Sequence, residues 1–344
     1  MTTTRAIDVG HGNTKFTTAD GEFEFGCKVF PSIAPQPRNS LGMTGGVLSA
    51  GEFIEVEIDG ASYVVGRDSE TAESSSTMRL MDAEYSLSNI YMALVRGALY
   101  YMKTPKIDML VLGLPLTTFE SHREKLRERM VGGHTIPNPH LKANPGAPAK
   151  MSVQVANVRI LPQPVGAFFN YSVPRRLYNQ MSAQKNLILD VGHGTFDWFL
   201  AKGNSPIPGR SDGYNGGVSK IVTSVADAMG QGKKNNMGVL ERIDLALRTG
   251  QKVHISGEEI DINGRYGKVA ENAIRESLAA MLKSVGNMDD VDNIILTGGG
   301  ATLFKKETEK AIPNRKIILD DDPIFSNVRG FQMVGEQWAA NLAS

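Results

Sequence analysis

The pentapeptide Asp-Val-Gly-His-Gly occurs at residues 8–12 and again at 190–194. Each copy follows an apolar run, as IDVGHGNTK at 7–15 and LDVGHGTFD at 189–197. A polyphosphate is held best by several backbone N–H groups pointing inward, and glycine lets the backbone approach without a Cβ in the way. Gly10, Gly12, Gly192 and Gly194 supply that approach twice. Asn13 and Thr195 add side-chain donors, and Lys15 adds a cation suited to β- and γ-phosphates. Asp8 and Asp190 end their apolar strands at the mouth of the turn. A carboxylate there repels phosphate but suits Mg²⁺ held through water, because that ion keeps much of its hydration. Two such turns in opposition would enclose one Mg-nucleotide.

A single Asp-x-Gly-x-Gly turn is ordinary hairpin chemistry. Its repetition at the heads of two matching halves favours a ligand, and so does LTGGGATLF at 296–304. Gly298, Gly299 and Gly300 would let the chain lie flat along an adenosine, with the N-terminus of the next helix near the phosphates. The sequence has no Gly-x-x-x-x-Gly-Lys-Ser/Thr loop, no Gly-x-Gly-x-x-Gly followed by a suitable acid, and no metal-ligand cluster. His11 and His193 sit inside the turns, which suits backbone capping or a phosphate-facing role better than zinc. His122, His134, His140 and His254 are scattered on polar segments and are expected to be solvated. Ser74–Ser76 reads as loop composition.

These residues need elements to hold them. Strands are expected at 5–9 and 14–18 around His11-Gly12-Asn13, then at 22–29, 52–58 and 61–66, the last two joined by Asp59-Gly60. Residues 74–86 read as a surface loop. Helical spacing covers about 87–103, followed by a buried strand in KIDMLVLGLPL and a charged helix entered through Thr117 or Thr118. The Pro- and Gly-rich stretch 132–149 reads as a loop or insertion. MSVQVANVRILPQP is strand-like and runs into a helix at about 164–181, interrupted near Pro174. The opening pattern recurs at 186–202, with a third strand at 205–212. Helices follow at 216–230, about 237–249 and about 266–285. Residues 292–304 read as strand, Gly-rich turn and helix, and the chain closes with a strand, a loop and a helix that crosses back to the first domain.

Apolar residues make up 41% and charged residues 22% of the 344, the balance of a globular chain with room for two domains. Lys plus Arg and Asp plus Glu both total 37, so no net field draws nucleic acid or a membrane surface. The one cysteine, Cys27, fits a reducing compartment. The first residues show no signal peptide and the apolar runs are too short for a bilayer, so a cytoplasmic location is expected.

The residues resemble the superfamily of actin, Hsp70 and sugar kinases. Its five signature segments have counterparts in order: IDVGHGNTK, LPQPVGAFF (161–169), LDVGHGTFDW, ILTGGGATLF and DDPIFSNVRGFQMVG (321–335). PQPVGA and NVRGF bring the chain nearest to the ParM/StbA group of prokaryotic actin-like proteins of plasmid segregation. The resemblance implies an α/β actin-like ATPase fold, with two similar RNase H-like domains flanking a nucleotide cleft. It divides the chain into 1–165 plus 325–344, and 166–324. By the same resemblance Asp8 orients the hydration shell of Mg²⁺, Lys15 contacts the β- and γ-phosphates, and Asp190 holds a metal-bound or attacking water. Gln163 positions the attacking water; as a neutral amide it is a poor base, so hydrolysis is expected to be slow. Gly298, Gly299 and Gly300 face the adenosine, Gly216 and Gly217 approach the ribose side, and Glu241 binds the ribose hydroxyls. His11 and His193 depart from the residues that relatives carry in these turns.

The function so implied is an ATP-dependent filament former, with ATP and Mg²⁺ as cofactors and GTP left open. Subunits would stack head to tail, hydrolysis would loosen the polymer, and DNA would be reached through an adaptor protein rather than by direct binding. Two alternatives stay open. One is a small-molecule kinase of the same fold with Asp190 or Asp197 as base. The other is a nucleotide-gated scaffold that forms no filament.

Overall fold

The computed structural model describes residues 2–19, 25–37, 51–69, 82, 84–203, 205–230 and 232–343. The chain divides into two compact units. Unit 1 comprises Met1–Leu114, Thr118–Pro162 and Val328–Ser344; unit 2 comprises Pro115–Thr117 and Gln163–Asn327.

Unit 1 opens on the antiparallel hairpin β1 (Thr4–Val9) and β2 (Asn13–Thr18), extended by β3 (Gly26–Pro31). β4 (Phe53–Ile58) and β5 (Ala61–Gly66) form a separate two-stranded ribbon, turned at Asp59 and Gly60, both with positive φ. That is the conformation a two-residue hairpin loop demands. Helix α1 (Asn89–Met102) starts where Ser88 Oγ accepts from the Tyr91 amide. After it come β6 (Lys106–Leu114), α2 (Leu116–Met130), β7 (Gly132–Pro137) and β8 (Lys150–Pro162). The sheet order is β3-β2-β1-β6-β8-β7, with β1, β6 and β8 mutually parallel. Ile7, Phe16, Leu94, Leu99, Leu110 and Leu112 are fully buried in its core.

Unit 2 repeats the plan. Helices α3 (Gln163–Ser172) and α4 (Tyr178–Ser182) lead to the hairpin β9 (Lys185–Val191) and β10 (Phe196–Lys202). β10 carries two short edge strands, β11 (Ser205–Pro206) and β12 (Asp212–Tyr214). Helices α5 (Val218–Ala228) and α6 (Met237–Thr249) follow, then the small hairpin β13 (Val253–Ile255) and β14 (Glu258–Ile260). The chain continues through α7 (Ile262–Val285), β15 (Asn293–Thr297), α8 (Ala301–Ala311) and β16 (Ile317–Leu319). β9, β15 and β16 are parallel, matching β1, β6 and β8. Leu189, Val191, Phe196, Ile221, Leu278 and Phe304 fill this second core. The closing helix α9 (Ser326–Ala343) passes into unit 1 from Val328 onward.

The structure corrects several readings. Gly132–Pro137, expected as part of a loop, forms an edge strand antiparallel to β8, because His134 and Ile136 alternate inward beneath the Pro/Gly-rich composition. His122 and His134, expected to be solvated, are buried: His122 Nδ1 lies 2.8 Å from Ser86 Oγ and His134 Nε2 lies 2.8 Å from Met130 O. The β13–β14 hairpin adds two strands where none is expected from the sequence. α7 begins earlier than its apolar spacing suggests, because Asp261 caps it by accepting from the Gly264 amide at 2.8 Å. Most of the 74–86 loop, Ser74–Ser76 included, and the start of the strand expected at 22–29 lie outside the described residues.

α9 docks on unit 1 through a buried polar contact. Thr17 Oγ1 accepts from the Ala6 amide at 2.9 Å and donates to Gln332 Oε1 at 2.7 Å, while Gln332 Nε2 donates to Thr4 O at 3.1 Å. Thr17→Val keeps the shape but strands two buried partners, which costs about 1–3 kcal/mol. The expected outcome is a lower urea midpoint than wild type, with near-native far-UV circular dichroism.

Candidate functional site

In unit 1, β1 delivers Asp8 to the end of its strand and β2 returns with Lys15 as its direct register partner. The turn is tight: the Gly10 amide donates to Asn13 O at 3.1 Å. A Cβ on Gly10 would lie 3.3 Å from both Asn13 O and Lys15 Nζ, so the glycine is used for close approach. Lys15 Nζ donates to Asp8 Oδ2 at 3.0 Å, and both groups are largely shielded from water. Behind the turn, Gly12 O accepts from the Ser32 amide at 3.0 Å. The His11 ring stacks on Tyr85 with centroids 4.8 Å apart. Burial first, and the Lys15 charge second, hold the His11 imidazole below its ordinary pKa. His11 is therefore a neutral stacking residue at neutral pH.

In unit 2, the same hairpin places Asp190 at the end of β9, but its register partner on β10 is Asp197 rather than a lysine. Lys15 and Asp197 hold the same place in the two motifs, seven residues after the aspartate. Asp197 is fully buried, and its Oδ2 accepts from Thr195 Oγ1 at 2.6 Å. Burial and, to a lesser degree, repulsion from Asp190 and Asp212 push its carboxyl up to about 7. The Thr195 hydroxyl and the Leu116 backbone amide pull it partly back.

The start of α5 grips the second turn from behind. The Gly217, Val218 and Ser219 amides donate to Gly194 O (3.2 Å), Gly192 O (3.1 Å) and His193 O (2.8 Å). A Cβ on Gly217 would lie 2.6–2.8 Å from three turn carbonyls, so only glycine fits. Gly216 O accepts from Ser277 Oγ of α7 at 2.9 Å. The Gly-rich turn between β15 and α8 joins the same cluster. Gly298 has φ +85°, and a Cβ there would collide with Asp190 Oδ1 and Val191 O. The Gly300 amide donates to Val191 O at 2.8 Å. Around Gly299 a Cβ would meet nothing, and Gly299 O accepts from Arg248 Nη1 of α6 at 2.5 Å.

Residues 6–166 match a family model for actin like proteins, N terminal domain, and residues 188–310 match one for the archaeal actin homologue MreB-like, C-terminal. The chain belongs to the actin-like protein family. No curated protein sequence matches it. Solved structures similar to it run its whole length. Ta0583, an archaeal actin homolog in complex with ADP, has TM-score 0.70 and 18% identity, covering 97% of this chain and 99% of that one. A 15-stranded ParM filament from Clostridium botulinum gives 0.73 and 19%, covering 98% and 100%. The actin-like protein Alp7A gives 0.70 and 13%, covering 99% of each. At such identities the likeness establishes the fold.

Within this actin-like unit 2, hydrogen bonds and close contacts gather Asp190, Gly192, His193, Gly194, Thr195, Gly217, Gly298 and Gly300 around one turn, with Gly216 bonded instead to Tyr214 and Ser277. Unit 1 gathers Asp8, Gly10, His11, Gly12, Asn13 and Lys15 around the other. Gln163 is buried as the first residue of α3. Glu241 is half-buried on α6, the helix that reaches Gly299 through Arg248. Two side chains expected to serve phosphates are engaged within the chain: Lys15 with Asp8, and Thr195 with Asp197. Among the described residues no group of three His, Cys, Asp or Glu side chains could hold a bare metal ion. Asp8 and Asp190 stand near the ends of their strands, already bonded to Lys15 and Asn327; single carboxylates so placed suit a cation that keeps its water rather than a bare one. Sequence reasoning missed Asn327, whose Nδ2 donates to Asp190 Oδ2 at 2.7 Å across 137 positions. NVRGF contained it, but nothing local marks its partner.

Asp197 also sets a pH dependence. An aspartate ionises near 3.9 in an unfolded chain, whereas Asp197 does so at about 7 in the folded one. Between those values the folded state holds a proton that the unfolded state has released. This group therefore destabilises the fold increasingly as pH rises from about 4 to 7, and by a constant amount above. In Asp197→Asn, the thermal midpoint relative to wild type should climb across that window and level off above it; a flat difference would mean that Asp197 ionises normally.

Proposed function

We propose that this chain binds ATP with Mg²⁺, one Gly-rich hairpin of each unit serving the phosphates, and that triphosphate binding drives its assembly into filaments. The observation that carries the reading is the duplication itself. The same Asp-ended strand and Gly turn head two sheets of the same topology, and in unit 2 a Gly-rich β15–α8 turn abuts the Asp190 carboxylate. The ADP complex of Ta0583 and the ParM filament support it by likeness of fold.

In this reading Asp8 and Asp190 would hold the hydration shell of the metal, and Lys15, now bonded to Asp8, would supply the cation for the β- and γ-phosphates. Mg²⁺ would neutralise phosphate charge as the terminal bond breaks. Gln163, a neutral amide at the head of α3, orients the attacking water without accepting its proton, so turnover is slow. Gly298–Gly300 lie along the adenosine, and Gly216, Gly217 and Glu241 serve the ribose side. Subunits join head to tail through a heterologous contact that does not close. The filament works in the cytoplasm to segregate plasmid DNA, held through an adaptor protein in keeping with the balanced charge of the chain. Asp197 weighs against a small-molecule kinase, because it is fully buried and bonded to Thr195 instead of presented to an acceptor.

Right-angle light scattering and phosphate release, followed together with Mg-ATP, Mg-GTP, Mg-ADP and no nucleotide, test this reading. Scattering should rise with triphosphate and fall as phosphate accumulates; scattering that stays flat while ATP is turned over would sink the filament. Gly299→Ala separates ligand from fold. Among the described residues no atom beyond the chain neighbours lies within 4 Å of its Cβ, so the thermal midpoint should hold while affinity for ATP drops several-fold, roughly the 1 kcal/mol scale of a displaced close contact. Unchanged affinity would move the adenosine elsewhere.

A further inference from the structure

A run of buried polar side chains in unit 2 ends on Asp190. Asp320, following β16, is its hub. Asp320 Oδ2 accepts from Asn170 Nδ2 at 2.8 Å and from Ser326 Oγ at 2.6 Å, and Oδ1 accepts from the Asp321 amide at 3.0 Å. Arg175 stands 3.9 Å away. The residue after Ser326 is Asn327, whose amide binds Asp190. Asn170, Asp190, Asp320, Ser326 and Asn327 are all at most 8% exposed.

The positions of these residues in the chain give the network its meaning. Asn170 lies on α3, which begins where the chain enters unit 2 at Gln163. Ser326 and Asn327 open α9, which leaves unit 2 at Val328. Asp320 thus ties the unit 2 ends of these two crossings to each other, and Asn327 ties them to the carboxylate at the second Gly-rich turn. Burying a carboxylate is unfavourable unless donors replace water, and here each donor comes from a segment that leads to a crossing. Asn327 shows which of its bonds matters. Among the described residues its Oδ1 is buried with no hydrogen-bond partner, while its Nδ2 is spent on Asp190. An amide kept for packing alone carries that cost without return.

We propose that Asn327 is the positioning residue for Asp190, and that Asp320 makes the setting of Asp190 follow the segments that begin at Gln163 and end at Asn327, two of the places where the chain passes between units. The inference rests on the reading of Asp190 as a nucleotide-site carboxylate. Asn327 holds Oδ2 while the bare Cα of Gly298 admits Oδ1, so the start of α9 and the β15–α8 turn both set the carboxylate.

The first experiment uses the full chain without nucleotide: a double-mutant cycle of Asn327→Ala and Asp190→Ala, read by urea unfolding. Non-additive stabilities are expected, because the two side chains share one bond; additive ones would overturn the contact. The second measures Mg-ATP affinity and single-turnover phosphate release. Asn327→Ala should slow release roughly tenfold or more at saturating ATP, the scale of lost orientation of a site group, with ATP affinity within about threefold of wild type. Asn327→Asp, the same size but without the donor, should be as slow; wild-type release in either variant, or affinity and release falling together, would overturn positioning. In Asp320→Ala, hydrogen exchange at 163–172 and 326–330 should accelerate together, and acceleration of one alone would overturn the linkage. A wild-type chain that binds no triphosphate would refute the nucleotide reading, while the cycle would still decide the Asn327–Asp190 bond.

Discussion

Unit 2 is arranged around the problem of a carboxylate that ends a central strand inside the protein. Asp190 is 5% exposed on β9, flanked by β10 on one side and β15 on the other. A charge so placed requires donors and close-packed backbone in place of water. Asn327 brings an amide from far along the chain, and Gly298 brings a backbone with no Cβ to obstruct it. The cluster of glycines beside it follows from the same constraint. Gly217 is squeezed against three carbonyls of the turn because α5 must start there to donate its first amides.

Unit 1 meets the same requirement by a different route. Asp8 faces Lys15 directly across the hairpin, and the two charges satisfy one another at 3.0 Å. A buried pair of this kind gains little net stability, since both ions are desolvated. It does keep a cation preset beside the turn. In unit 2 the equivalent partner is an aspartate, and like charges opposed across strands are unfavourable. The chain accommodates them by burying Asp197, pushing its carboxyl up to about 7, and holding it with Thr195. The repeated hairpin therefore pairs its aspartate with a lysine in unit 1 and with a second, buried aspartate in unit 2.

The last crossing draws these local solutions together. α9 begins among the polar groups of unit 2 and ends docked on unit 1 through the Thr17–Gln332 contact. Its first residues answer to Asp320 and Asp190, and its later ones to β1 and β2. The same helix therefore contacts the hairpin of unit 1 and the carboxylate of unit 2.

Local signals in the chain determined a good deal. Gly10, Gly192 and Gly298 were legible as positions of close backbone approach, because glycine spacing after an apolar run carries that meaning without a partner. Asp59-Gly60 announced its hairpin, and the repeated Asp-Val-Gly-His-Gly announced two sheets of one plan. Tertiary structure decided what depends on groups distant in sequence. His122 and His134 sit in polar surroundings by sequence, yet Ser86 and the carbonyl of Met130 satisfy them in the interior. Gly132–Pro137 became a strand because β8 offered it an edge. Lys15 and Thr195 read as phosphate donors, and each found a carboxylate of its own hairpin. Asn327 stood within NVRGF with nothing to mark its partner, and Asp320 was not singled out, because the bond that gives each its role is made only when segments far apart in the chain pack together, and a hydrogen bond leaves no periodicity in a sequence.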